Sequence, residues 1–316
     1  MSVNWVEQLA WNTGCQCIVC CGDFFDSSVI NSEEASALKE IRWAPMSHLF
    51  LTGNHETNVS SLEFSTLDLF KLCPDAEVIN TPQQYFIDNT SVEFCFLPYV
   101  LERDRKTIQE YFGPKTCNRI IFSHNDLKNV QYGSFLSTEG FEIDDIEHNS
   151  DLCFNGHIHH CCTVTNKIVN VGNLTGQNFT EDATKFQHCA IVLDTETLDY
   201  KFYQNLYAFK FYKLDATMCK SKEELVRVFN QLNTNAVATI HISHDMVDLA
   251  RSILDYLKDE GTLETYKLLI KYDNNPASET VQELSSVDHL QQFESYVYSE
   301  IGTSDIIKEE LRKIME

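Results

Sequence analysis

The sequence predicts a mixed α/β protein, and three observations carry that prediction. Its 316 residues are 43% hydrophobic and 22% charged, with only 11 Gly and 6 Pro, the makeup of a folded chain and not of a disordered or repetitive one. Segments with apolar residues at helical spacing alternate with short apolar runs of strand length. Several of those runs end in Asp, Asn or His, which is where open α/β sheets place functional residues.

Trp5, Val6, Leu9 and Ala10 recur at helical spacing and Gly14 stands at a C-cap position, so residues 3–13 read as an amphipathic helix. Residues 15–21 form a continuous small apolar run that reads as an inner parallel strand delivering Asp23 at its end. A helix over 33–41 leads to a strand over 48–52, which ends in Gly53-Asn54-His55-Glu56. The rhythm continues with a helix over 62–72, strands at 77–79, 84–87 and 92–97, a helix over 104–111, and a strand over 119–123 ending in His124. An acidic loop holds Asp144, Asp145 and Glu147. The strand after it, 151–154, runs into Asn155-Gly156-His157-Ile158-His159-His160, and strands at Val164, 168–171, 188–193 and 200–203 complete a first domain. Beyond Leu206 the pattern becomes a small α/β unit: helix 221–232, strand 236–242, helix 246–257, strand 265–272. Asn274-Asn275-Pro276 reads as a break, followed by two helices over 287–298 and 304–314.

Charge and cysteine usage narrow the function classes. The formal net charge is −23, spread along the chain, which argues against a protein that clamps nucleic acid with a positive field of its own. Bound cations reverse the local charge where the chemistry happens, so a metal-dependent enzyme acting on phosphates stays open. The 12 cysteines come without a leader-like start, so a reducing cytoplasm and small buried strand residues explain them better than disulfides. No apolar run reaches the length of a membrane span.

Four strands thus end in hard or borderline ligands: Asp23, Asn54 with His55, His124, and His157 with His159. Mixed imidazole and oxygen donors suit Mn²⁺, Fe²⁺ or Zn²⁺ better than Ca²⁺. A carboxylate on a sharp glycine turn can bridge two ions that grip both the attacking hydroxide and a phosphate oxygen. Asp26 has a second reading as a turn or helix cap, and His160, His188 and His48 read as structural or surface histidines.

Quoted as they stand, Gly22-Asp23-Phe24-Phe25-Asp26, Gly53-Asn54-His55-Glu56, Ser123-His124 and Gly156-His157-Ile158-His159 resemble, in order, the motifs of the calcineurin-like metallophosphoesterases. The resemblance covers residues 14–205. It implies a four-layer α-β-β-α sandwich over 1–206, with Asp23 bridging two divalent ions, Asn54, His124 and His157 completing one site, and His159 belonging to the other. His55 would stand over the scissile phosphate as general acid or transition-state stabiliser, with Asp26 orienting its ring. Thr52 and Ser27-Ser28 occupy places where protein phosphatases of this kind carry arginine elements, which lowers that branch. The chain is more similar to SbcD-type recombination exonucleases, phage ones in particular, on residues 171–176 leading to Glu181-Asp182, on the α/β unit, and on the stretch from Phe293 to Val297. That similarity implies Mn²⁺, DNA as substrate, a capping domain over 207–275 with C-terminal helices after it, a tail over 276–316 docking on an SbcC-type ATPase, and homodimers in a cytoplasm. A helical pair packing on its own domain is the other reading of the tail. A scaffold without catalysis and a phosphodiesterase on non-DNA substrates are the competing functions.

The resemblance also implies an Asp-x-His element on a first strand, and residues 1–22 contain neither Asp nor His. The helix over 3–13 independently reads as a crossover that a parallel strand should precede. A longer polypeptide upstream of Met1 and a variant that has lost one metal site both explain this, and the intact remaining ligands favour the first.

Overall fold

The computed structural model describes residues 2–58, 61–73, 75–86, 92–132, 135–233 and 235–271. The helices expected over 287–298 and 304–314, and with them the docking tail, lie outside the described residues. So does the break at Asn274.

The chain opens with α1 (Ser2–Thr13), which stops where Gly14 takes a left-handed φ of 73° and Cys15 N donates to Ala10 O at 2.9 Å. β1 (Cys17–Cys20) follows, then α2 (Ser32–Leu38), closed at its start by a capping box between Asn31 and Glu34, then β2 (Ser47–Leu51). Glu7 of α1 is buried because it accepts from Ala44 N at 2.8 Å and pairs with His48 Nε2 at 3.1 Å, an anchor between helix and strand. The helix expected over 62–72 is corrected. β3 (Thr57–Asn58) and β4 (Ser61–Ser65) form a hairpin, and only Thr66–Leu72 winds, as a 3₁₀ turn that buries Leu67 and Phe70 at the i, i+3 spacing such a turn requires. β5 (Ala76–Ile79) joins β1 and β2 in a three-stranded parallel sheet of order β1-β2-β5. β1 was expected as an inner strand; among the described strands it is an edge, and its four residues are half-buried.

The next stretch builds a six-stranded sheet. It holds β6 (Gln83–Phe86), β7 (Val92–Leu97), then α3 (Ile108–Phe112), β8 (Asn118–Ser123), the small hairpin of β9 (Gln131–Tyr132) and β10 (Phe135–Leu136), α4 (Ile143–Asn149), β11 (Leu152–Asn155), β12 (Cys162–Thr163) and β13 (Ile168–Asn170). The order is β12-β13-β11-β8-β7-β6, with parallel pairing from β13 to β7 and antiparallel edges. The acidic stretch expected as a loop is α4, with Asp144 and Asp145 in its first turn, where the helix dipole favours negative charge. β14 (Cys189–Leu193) and β15 (Tyr200–Gln204) pair as an antiparallel hairpin.

Side chains of β8 alternate between two clusters, as a strand covered on both faces requires. Ile120 and Phe122 meet Leu51 and Ile79 of the three-stranded sheet, with Ile191, Leu193, Tyr200 and Phe202 of the β14-β15 hairpin at the margin. Ile121 points the other way, against Ile108 and Phe112 of α3 and Ile146 of α4. A third cluster covers the far side of the three-stranded sheet with Phe25, Leu67 and Phe70.

The stretch after Leu206 contains a strand the sequence reading lacked, β16 (Lys210–Ala216), then α5 (Lys222–Phe229), β17 (Ala236–Ser243), α6 (Val247–Asp259) and β18 (Leu263–Lys271). The three strands form a parallel sheet, and both helices share one cluster with residues such as Leu214, Ile240 and Leu263. No helix among the described residues is long and apolar enough to cross a membrane.

Candidate metal centre

The site is built where β1, β2, β8 and β11 end. Past β1 the backbone turns through Gly22 (φ 91°) and Asp23 (φ 51°), the latter a left-handed conformation that a residue with a side chain adopts only under constraint. Two glycines make room. A Cβ on Gly22 would lie 2.2 Å from His124 Nδ1, and one on Gly53 would lie 2.1 Å from Asp23 Oδ1. Glu56, fully buried, supplies the constraint. Its carboxylate accepts from the backbone N–H groups of Gly53 (2.8 Å), Asp23 (3.2 Å), Phe24 (2.5 Å) and Phe25 (3.1 Å). Burial, with the charge of Asp23 adding to it, pushes the Glu56 carboxyl up to about 7 against the bonds from Gly53, Phe25 and Phe24.

His124, at the end of β8, is fully buried. Its Nδ1 lies 2.6 Å from the Cys21 carbonyl oxygen, which only accepts, so Nδ1 carries the proton. In the neutral ring the lone pair is then on Nε2, which faces Asp23 Oδ2 at 3.0 Å, Asn54 Oδ1 at 3.1 Å and His157 Nδ1 at 3.2 Å. Electron pairs converge on one point, which is the environment that a bound metal ion satisfies. The donor atoms of Asp23, His124 and His157 lie within 4.8 Å of one another, so these three residues can hold a metal ion, and the imidazole and oxygen chemistry of the set fits one. Burial alone would raise the Asp23 carboxyl; without an ion, a His124 ring that also carries a proton on Nε2 would donate to Asp23, and its hydrogen bond and charge, with His55 behind them, hold that carboxyl below the usual carboxylate range.

His159 lies outside that three-residue set. Its Nδ1 is 2.6 Å from Glu181 Oε1, and that bond raises its pKa, with Asp23 and Asp26 close enough to add to the effect. Glu181, buried, also accepts from Asn173 Nδ2 at 2.9 Å and Gln177 N at 3.0 Å; these bonds, with that from His159, hold its carboxyl low although burial would raise it. Nε2 is thus the atom His159 has left for a ligand. His55 is exposed: its backbone N donates to Asp23 Oδ1 at 3.1 Å, and its Nδ1 is 3.1 Å from Asp26 Oδ1, the partnership expected from the sequence.

His48 pairs with Glu7, His160 stacks on Phe186 at 4.6 Å, and His188 is buried with Nδ1 2.7 Å from Asn173 Oδ1. All 12 cysteines are free thiols. Sequence reasoning gave no role to Glu56, Asp126, Asn173 or Glu181. Glu56 and Asp126 stand within two residues of motif positions, and a carboxylate so close to a ligand was the available signal. No family model matches the chain, and no curated protein does.

Proposed function

We propose that the chain is the nuclease subunit of a metal-dependent DNA phosphodiesterase, a calcineurin-like metallophosphoesterase resembling the SbcD-type recombination exonucleases. The observation that carries this reading is the convergence of Asp23, Asn54, His124 and His157 from four strand ends, with lone pairs facing one another. The clusters on either side of both sheets support the four-layer sandwich that goes with it. Two divalent ions, Mn²⁺ in this reading, would supply a Lewis acid and a water of lowered pKa.

The residues divide the remaining work. Asp23, Asn54, His124 and His157 would hold one ion, and Asp23 with His159 would hold the other. Glu56 fixes the turn that presents the bridging carboxylate. Asp26 accepts from the His55 Nδ1–H, and in the imidazolium form the Nε2–H would pass to the leaving oxygen, leaving a neutral ring still bonded to Asp26 through Nδ1. The unit over 207–275 caps the DNA, and the segment 276–316 docks on an SbcC-type ATPase in the cytoplasm, with a homodimer as the working assembly. Incubation with Mn²⁺ and end-labelled duplex DNA tests the reading, and it expects cleavage that His55→Ala and Asp23→Asn abolish. Turnover of bis-p-nitrophenyl phosphate without any DNA cleavage would move the assignment to another phosphodiester.

The engagement of His159 by Glu181, together with a compact set of three donors, favours one other reading, a scaffold that binds the ATPase with a single ion and no catalysis. Metal analysis separates the two, since two ions per chain exclude the scaffold.

A further inference from the structure

We infer that Asp126 is a positioning residue of the metal centre, holding the His157 ring so that Nδ1 is the ligand atom; the inference rests on reading Asp23, His124 and His157 as metal ligands. A neutral imidazole has one lone pair, and the hydrogen bond made by the other nitrogen decides where it is. Each of the three ring histidines has one nitrogen facing an oxygen outside the cluster: His124 Nδ1 bonds the Cys21 carbonyl and His159 Nδ1 bonds Glu181, both at 2.6 Å, and His157 Nε2 stands 3.4 Å from Asp126 Oδ1, within ion-pair reach. His157 has the opposite orientation to His124. Its Nδ1 faces the cluster, 3.2 Å from His124 Nε2, so an acceptor is needed on the Nε2 side, where Asp126 stands.

The backbone around Asp126 is built to keep it there. Asp126 lies three residues beyond the end of β8, and its carbonyl accepts from Phe141 N at 2.9 Å. Gly140, at φ 120°, packs so closely that a Cβ would lie 2.4 Å from the Asp126 oxygen, so only glycine lets the two segments meet. Arg105, whose side chain is one-tenth exposed, adds positive charge, and the Tyr99 ring lies at 28° to the His157 ring with their centroids 6.4 Å apart. The carboxylate of Asp126 is not among the donors that lie within 4.8 Å of one another, which separates its role from that of a ligand.

The test uses the full chain with Mn²⁺ as the probe. Calorimetric titration of wild type, Asp126→Ala, Asp126→Asn and Asp23→Asn is paired with long-range ¹H–¹⁵N spectra of the metal-free proteins, the His157 ring being assigned by comparison with His157→Gln. Asp126→Ala is expected to lower Mn²⁺ affinity by about 10–100-fold, the usual effect of removing a carboxylate behind a ligand histidine. It also converts the ring from a single Nε2–H form to a mixture of tautomers. Asp126→Asn, whose amide oxygen still accepts from Nε2–H, recovers most of both. Unchanged affinity and an unchanged tautomer in Asp126→Ala overturn the inference, as does an Asp126→Asn variant as impaired as Asp23→Asn, which would make Asp126 a ligand. Absence of Mn²⁺ uptake by wild type sinks the metal reading and the inference with it; uptake with the ring unaffected sinks the inference alone.

Discussion

Asp23 stands in a left-handed conformation that costs a residue with a side chain about 1–2 kcal/mol, and Glu56 is the group that offsets this by gathering four backbone N–H donors around one carboxylate. Leaving several buried donors without an acceptor costs about 1–3 kcal/mol each at the upper limit, so Glu56→Ala is expected to destabilise the chain by more than about 3 kcal/mol. Glu56→Gln keeps one accepting oxygen in the same volume and falls between the two. Urea unfolding of the three proteins measures this, and a Glu56→Ala midpoint equal to wild type would remove Glu56 from the account. His188 makes a second point at this scale. Burial lowers its pKa, its Nδ1 already bonds Asn173, and its buried Nε2 has no hydrogen-bond partner among the described residues. The folded chain therefore holds the ring neutral more strongly than the unfolded chain does. The sign follows: this contribution to stability is present above the unfolded value near 6.5 and is lost as pH falls through the lower folded value. As pH falls below about 6.5 wild type should lose stability faster than His188→Gln, and parallel curves from denaturant titrations would refute it.

Arg119 shows how one side chain ties elements together. It sits on β8 opposite Glu93 of β7, is 1% exposed, and bonds Glu93 Oε2 at 2.6 Å. The same guanidinium donates to the carbonyls of Phe112 and Gly113, closing the end of α3. Removing one partner leaves a buried charge alone, so Arg119→Met should cost about 3–5 kcal/mol, while the double change with Glu93→Leu should recover a good part of it. A double-mutant cycle by chemical denaturation reads this directly, and additive losses would show that the pair is uncoupled. The same scale shows what the sequence made legible. α1, β2, β7, β8, β11, β17 and α6 carry long periodic or continuous apolar patterns, and they are where the sequence places them. The hairpin of β3 and β4 was hidden because Leu62 and Phe64 alternate over only five residues before the turn that buries Leu67 and Phe70, and the merged spacing imitates a helix. β16 has a clean alternation of Tyr212, Leu214 and Ala216 inward, yet it follows closely on Leu206, where the sequence pattern changes and no strand was sought. The edge position of β1 is a matter of neighbours, which composition does not report. In the candidate site the motif residues were legible because each ends a strand. Glu181 was not, because its bond to His159 spans 22 residues and depends on the fold of the segment between.

A chain with a net charge of −23 repels itself, and its candidate site adds to that repulsion by turning a carboxylate, an amide oxygen and two imidazole lone pairs toward one point. A divalent ion bound there relieves both at once, because it adds positive charge where the converging pairs are and binds the folded chain far better than the unfolded one. Mass action then sets the size of the effect: at a free concentration of 100 times the dissociation constant the ion adds about 2.7 kcal/mol. For a compact unit of 150–250 residues or more, each kcal/mol moves the midpoint by about 2–4 °C, so Mn²⁺ added to chelator-treated protein should raise Tm by roughly 5–10 °C. The same concentration of a monovalent salt separates site binding from general screening, since screening acts on exposed charges along the whole surface and not at one set of converging donors. Asp23→Asn removes the carboxylate but leaves the rest of the charge distribution almost untouched, so its Tm should follow the monovalent control. A rise of equal size in Asp23→Asn, or one reproduced by the monovalent salt, would mean that the acidity of the whole molecule, and not the site, takes up the cation.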